Sequence, residues 1–118
     1  MSNVARITRS QVGTATVVRL DGEHDLATSP ELVEAMAEAT LPQARVVVDL
    51  SGATFIDSTV LRAITAGAKE SDAFAIVAPQ GTPPRRLLDL TGLTEVYSVA
   101  ENLDAALERV GVREPAQG

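Results

Sequence analysis

The alternation of apolar and polar positions divides this chain into a series of short elements. Val4 to Ser10 alternates apolar and polar residues, as a half-exposed strand does. Thr14 to Leu20 (TATVVRL) reads as a second strand, and the short turn at Gly13 between them predicts a hairpin. Asp21-Gly22 ends that strand and a polar loop, Glu23-His24-Asp25, follows. A helix start comes next: Thr28 or Ser29 suits the cap, Pro30 the first helical position, and Glu31 the positive end. This helix, Glu31 to Thr40, carries Leu32, Ala35, Met36 and Ala39 on one stripe, and Pro42 stops it.

Val46 to Leu50 (VVVDL) is continuous and β-branched, bounded by Ser51-Gly52, and predicts a buried strand. After Ala53-Thr54-Phe55-Ile56 the chain presents Asp57-Ser58-Thr59. It then resumes with Val60, Leu61, Ile64 and Ala68 at helical spacing, so a helix is expected over Thr59 to Ala68. Ala73 to Ala78 is a short apolar strand closed by Pro79. Thr82 can cap a helix through Arg85, Leu87, Leu88 and Leu90, stopped at Gly92, though one irregular turn is the alternative there. Val96 to Val99 suggests a fifth strand, and Asn102 caps a last helix, Leu103 to Val110, ended by Gly111.

The order β-β-α-β-α-β-α-β-α implies an α/β fold. Its mixed sheet has four to five strands, flanked by about four helices, with an antiparallel pair at the start and parallel crossovers after it. Residues 1–111 read as a single domain and 112–118 as a flexible tail, Glu114 to Gly118 having nothing to bury.

Composition narrows the chemistry. The 118 residues include 45% hydrophobic but only 3% aromatic side chains, so Val, Leu, Ile and Ala must build the core. With no cysteine there are no disulfides, thiolate metal sites or cysteine nucleophiles. A solitary histidine, His24, cannot form a zinc cluster. No apolar run reaches the roughly 20 residues of a membrane span, and no signal peptide is evident, so a cytoplasmic protein without membrane insertion is expected. A formal charge of −6 and the absence of tryptophan disfavour direct nucleic-acid binding, and a protein partner is the better expectation.

No catalytic set emerges. Ser58 or Thr59 would need a base, and nothing places His24, expected at the surface or partly buried, beside them. Neither a phosphate-cradling loop nor a dinucleotide fingerprint is present, so neither an enzyme nor a bound cofactor is expected. A response-regulator receiver would use Asp49, at the end of VVVDL, as its acceptor, but the opening hairpin contradicts that strand order. Asp57, Ser58 and Thr59 have side chains that cap unpartnered N–H groups at a helix start. Such a terminus also tolerates an anion, so the two hydroxyls are either caps alone or a place to receive a phosphate.

The stretch VVVDLSGATFIDSTVLRAI resembles the core pattern of STAS domains of bacterial anti-sigma factor antagonists, a hydrophobic strand followed by D-L-S-x-[VL]-x-[FY]-[IM]-D-S-[ST]-G-L. LDGEHDLATSPEL is similar to the family's segment entering its first helix, and PPRRLLDLTGLTEVYSV to a third segment. The matches keep the family's order across about residues 14–108. The resemblance implies an antagonist that binds an anti-sigma factor which is also a serine/threonine kinase, and so frees a sigma factor. Phosphorylation of the antagonist ends the complex. It further implies Thr59 as acceptor with Ser58 as the adjacent candidate, Asp25 on the kinase-facing surface, and Asp57 orienting the loop. Asp25, Asp57, Ser58 and Thr59 are thus the expected partner-binding residues, in a monomer or weak dimer. Where the family usually has Gly, this chain has Val60, which either narrows access to Thr59 or packs inward as the first helical core residue. The alternative role is an unphosphorylated STAS scaffold or interaction subunit, in a signalling complex or associated with a transporter.

Overall fold

The strands lie in the sheet in the same order as in the chain. The computed structural model describes residues 4–40 and 44–112. Within it, β1 (Arg6–Val12), β2 (Ala15–His24), β3 (Arg45–Ile56), β4 (Ala73–Val77) and β5 (Ser98–Ala100) form one sheet, ordered β1-β2-β3-β4-β5. Gly13, at φ 58°, makes the turn that folds β1 back antiparallel on β2. Every later neighbour is parallel.

Parallel neighbours need crossovers, and helices α1 (Ser29–Ala39), α2 (Ser58–Glu70) and α3 (Pro83–Leu90) supply them. Each crossover steps the same way across the sheet, so the usual right-handed connection puts all three helices on one face. Leu32 and Met36 of α1, Val60, Leu61 and Ile64 of α2, and Leu88 of α3 accordingly share one core with Val18, Leu20, Val46, Val48, Leu50 and Ile76 of the sheet. The last helix, α4 (Leu103–Arg109), covers the other face, where Ala106 and Leu107 meet Val17, Val47, Ala75 and Val77. Val112 is buried in this second core, one residue beyond the expected domain end. Pro42 and residues 113–118, which hold the expected helix stop and most of the expected tail, lie outside the described residues.

This α/β order agrees with the sequence expectation. Asn102 caps α4 as expected, its side chain accepting from the N–H of Ala105. Residues 83–90 form a regular helix, capped by Thr82 and followed by Gly92 at φ 77°, rather than an irregular turn. A 3-10 turn at Leu93–Glu95 then delays the fifth strand to Ser98. Ala35 is half-buried at the edge of the α1 stripe.

Two strand ends correct the sequence reading. β2 does not stop at Leu20 but runs to His24, and β3 continues through Ser51-Gly52 to Ile56. The polar residues that looked like punctuation are absorbed as bulges: the register slips between Arg19 and Asp21 and again between Gly22 and Glu23, β3 carrying the extra residue each time. Gly52 is needed there for space rather than for a turn. A Cβ at this position would lie 1.9 Å from Asp21 Oδ1, in the ion pair that Asp21 makes with Arg19. Gly52→Ala should therefore displace that pair and lower stability by about 1–3 kcal/mol, measured by urea denaturation against the wild-type protein.

Candidate functional site

Register brings the candidate residues together. The last paired residues of the parallel strands β2 and β3 are His24 and Ile56, so Asp25 and Asp57 leave the sheet side by side at its carboxyl edge. In open α/β sheets the crevice at the carboxyl ends of the strands is where sites form. Asp25 opens the loop to α1, and Asp57 is the cap of α2.

Asp57 organises the start of α2. Its Oδ1 accepts from the Thr59 N–H at 3.0 Å, the Val60 N–H at 3.1 Å and the Thr59 hydroxyl at 2.5 Å. The backbone N–H of Leu26, from the neighbouring loop, also favours the charged form of this carboxylate. Partial burial pushes the Asp57 carboxyl up, but the Thr59 hydroxyl and the N–H groups of Val60, Thr59 and Leu26 outweigh it. They hold the group below the ordinary aspartate range. Thr59 is half-buried, its hydroxyl proton committed to Asp57. Ser58 is exposed, and its hydroxyl makes no hydrogen bond among the described residues. Val60 is fully buried in the core, packing inward as the first apolar residue of α2.

The loop from Asp25 to Thr28 is a compact turn. Asp25 is exposed, its Oδ1 accepting from the Ala27 N–H at 2.9 Å and its carbonyl from the Thr28 N–H at 3.1 Å. Thr28 takes the cap position of α1 without capping it: its hydroxyl instead faces the Asp25 carbonyl at 3.2 Å and the His24 ring at 3.1 Å. His24 is fully buried, not a surface side chain in an acidic loop, and its ring bonds Thr28 and the Asp21 carbonyl rather than either hydroxyl of α2. The loop lies over it, and the chain reaches this burial because β2 outlasts its apparent stop.

Two residues at this edge carried no signal that the sequence reading used. Leu26, next to Asp25, is 69% exposed and Phe55, two residues before Asp57, is 46% exposed, apolar side chains left in solvent. Exposed large apolar groups beside polar ones are the composition of protein contact surfaces. Asp49, by contrast, belongs elsewhere. It is 3% exposed, with Oδ1 accepting from the Ser51 N–H and hydroxyl and Oδ2 paired with Arg19 at 3.2 Å. The hydrogen bond from Arg19 to Asp21, with the charges of Asp21 and Asp49, raises the guanidinium's pKa against the opposing effect of burial. Asp49 thus has no free oxygen for the acceptor role a receiver would require.

Loss of the Asp57 carboxylate has a calculable cost. Asp57→Ala should lower stability by about 0.5–2 kcal/mol at pH 7, the usual worth of such a cap. Because folding lowers this group's pKa, its contribution is complete at neutral pH and is lost as the pH falls through the ordinary aspartate range toward the lowered folded value. The gap between wild type and variant should therefore narrow in urea titrations run from pH 7 down to about pH 3.

Comparison with known proteins agrees with this fold. The sequence matches the STAS domain family over residues 6–106. Among solved structures, an anti-sigma factor antagonist from Mycobacterium paratuberculosis superposes with a TM-score of 0.85 at 28% identity, over 93% of this chain and 98% of that one. The Bacillus cell fate determinant SpoIIAA is similar in fold in two states. Its unphosphorylated form gives a TM-score of 0.66 at 18% identity, over 91% of this chain and 100% of that one. Its phosphorylated form gives 0.65 at 19%, over 89% and 99%. Comparison with curated proteins gives no match. With its family match over residues 6–106, most of its length, this chain belongs to the STAS domain family.

Proposed function

We propose that this chain is an anti-sigma factor antagonist that binds an anti-sigma factor/serine kinase, and that phosphorylation at the start of α2 ends the complex. The observation that carries this reading is the gathering of two hydroxyls, an exposed carboxylate and two exposed apolar side chains around one junction. Ser58 and Thr59 are the acceptor candidates, Leu26 and Phe55 supply apolar contact area, and Asp25 and Asp57 set the charge. The likeness to a mycobacterial antagonist at 28% identity supports the same role.

The switch follows from charge placed on a contact surface. In the transfer, the hydroxyl oxygen takes the γ-phosphoryl group of ATP, its proton leaves to a base of the kinase, and ADP departs. A phosphoryl group adds about −1.5 to −2 charge beside Asp25 and Asp57, which opposes docking of a partner fitted to the unmodified surface. The two acceptors differ in consequence. On Ser58 the charge arrives with the Asp57 cap intact. On Thr59 it replaces the hydroxyl proton that Asp57 accepts, so a hydrogen bond becomes a like-charge contact. The fold needs neither hydroxyl, since the core contact of this turn is made by Val60.

The test uses a panel of purified anti-sigma kinases. With ATP, intact-mass analysis should show one added phosphoryl group on the wild-type chain and none on the Ser58→Ala/Thr59→Ala double variant. Thr59→Asp or Ser58→Asp should weaken binding to the cognate kinase at least tenfold, about 1.4 kcal/mol, while circular dichroism stays that of the wild type. Aspartate variants that bind as tightly as wild type would replace this reading with that of an unphosphorylated interaction subunit.

A further inference from the structure

The two edges of the sheet differ in how they meet solvent. At one edge β5 is only three residues long, and its Ala100 is buried beside α4. Short, covered edge strands are a common defence against pairing with another chain. At the opposite edge β1 is seven residues long and pairs with β2 in an unbroken register, with no bulge and no proline. β2 is its one neighbour in the sheet, and no other backbone hydrogen bond reaches it among the described residues. β1 therefore presents an open row of N–H and C=O groups about 23 Å long.

A groove runs beside that edge. The crossover brings α1 back in the direction of β1, and a cavity of about 230 Å³ opens between them, lined by Ile7, Arg9, Glu31, Glu34, Ala35 and Glu38. The four α1 residues stand at i, i+3, i+4 and i+7, along one flank of the helix. Ile7 and Ala35 are half-buried against the core and form an apolar floor. Glu38 takes up the charge of Arg9. Glu31 and Glu34 are exposed and have no cationic partner among the described residues. The other cation of β1, Arg6, stands at its first position and alternates to the opposite face.

We propose that this groove is a docking site for an extended, basic segment of a protein partner, which adds to β1 as a further strand. An added strand lies about 4.8 Å outside β1, under the flank of α1. Its side chains alternate, so every second one enters the groove, at a spacing of about 7 Å. Glu31 and Glu38 are about 10 Å apart along the helix, so two such side chains fall among the carboxylates. Lysine or arginine fits there, its methylene stem lying on Ile7 and Ala35 and its charge reaching Glu31 and Glu34. The intervening side chains face water beside Thr8 and Ser10, and are polar. A second copy of this chain is the wrong occupant. Two-fold pairing of β1 with itself would set both rows of Glu31 and Glu34 against each other across the axis. The site is separate from the turn at the start of α2 and does not depend on phosphorylation there.

A capped peptide alternating lysine with threonine is the probe, titrated into the isolated chain at low ionic strength and followed by nuclear magnetic resonance. The expected result is saturable binding in which amides of alternate β1 residues, fast to exchange in the free chain, become protected while those of β4 do not change. Glu31→Gln/Glu34→Gln should weaken that binding at least tenfold with an unchanged circular dichroism spectrum, and a glutamate–threonine peptide should not bind. Binding without protection of β1 would mean that charge alone holds the peptide, and would overturn the strand addition. Equal affinity for the double variant would overturn the role of the groove. Protection of β1 that rises with protein concentration in the absence of peptide, with a dimer in sedimentation, would assign the edge to a second copy and likewise contradict the proposal.

Discussion

One carboxylate, Asp57, ties together everything at the carboxyl edge of the sheet. It caps α2, holds the hydroxyl of Thr59, and has its charged form favoured by the Leu26 N–H of the loop that follows β2. Such proximity is possible only because β2 and β3 are parallel neighbours whose final residues, His24 and Ile56, are paired. The two bulges between those strands set where each one ends, and hence where Asp25 and Asp57 emerge. A shift of one residue would turn every side chain beyond it to the opposite face. Positioning of the candidate site is therefore a property of the sheet register before it is a property of the loops.

The remainder of the fold keeps that edge fixed while leaving it accessible. Three helices on one face bury the apolar stripes of the sheet, and Val60, the first apolar residue of α2, anchors the functional turn into that core. On the other face, where α4 packs against the later strands, an ion-pair cluster of Arg19, Asp21 and Asp49 lies over the bulged strands in place of an apolar cover. This division lets a charge be added at the start of α2 without disturbing the packing beneath it. In the proposed switch, binding responds to electrostatics at the surface and to the arrangement of the turn around Asp57, two effects with separate structural origins.

Element order, the caps at Asp57, Thr82 and Asn102, and the hydroxyl pair were all legible in the sequence, because each depends on local chemistry. What was not legible depended on pairing across the sheet. Asp21-Gly22 and Ser51-Gly52 look like strand ends to any local rule, yet both lie inside strands because neighbouring strands supply partners and bulges absorb the extra residues. The burial of His24 follows from that extension and could not be read without it. Thr28 shows the same limit: its type suits a cap, but a ring beneath it and a carbonyl beside it compete for its hydroxyl. Leu26 and Phe55 remain in solvent for a reason no periodicity reveals, since both sit past or at the end of the strands where no helix covers them.

Amide hydrogen exchange in Asp57→Ala is the measurement that bears most directly on the role of this carboxylate. If Asp57 joins the loop and the helix as one unit, the amides of Leu26, Thr59 and Val60 should exchange faster together, while amides in the centres of β3 and β4 keep their wild-type protection. Faster exchange at Thr59 and Val60 with Leu26 unchanged would mean that the two segments are held independently, and would contradict the account.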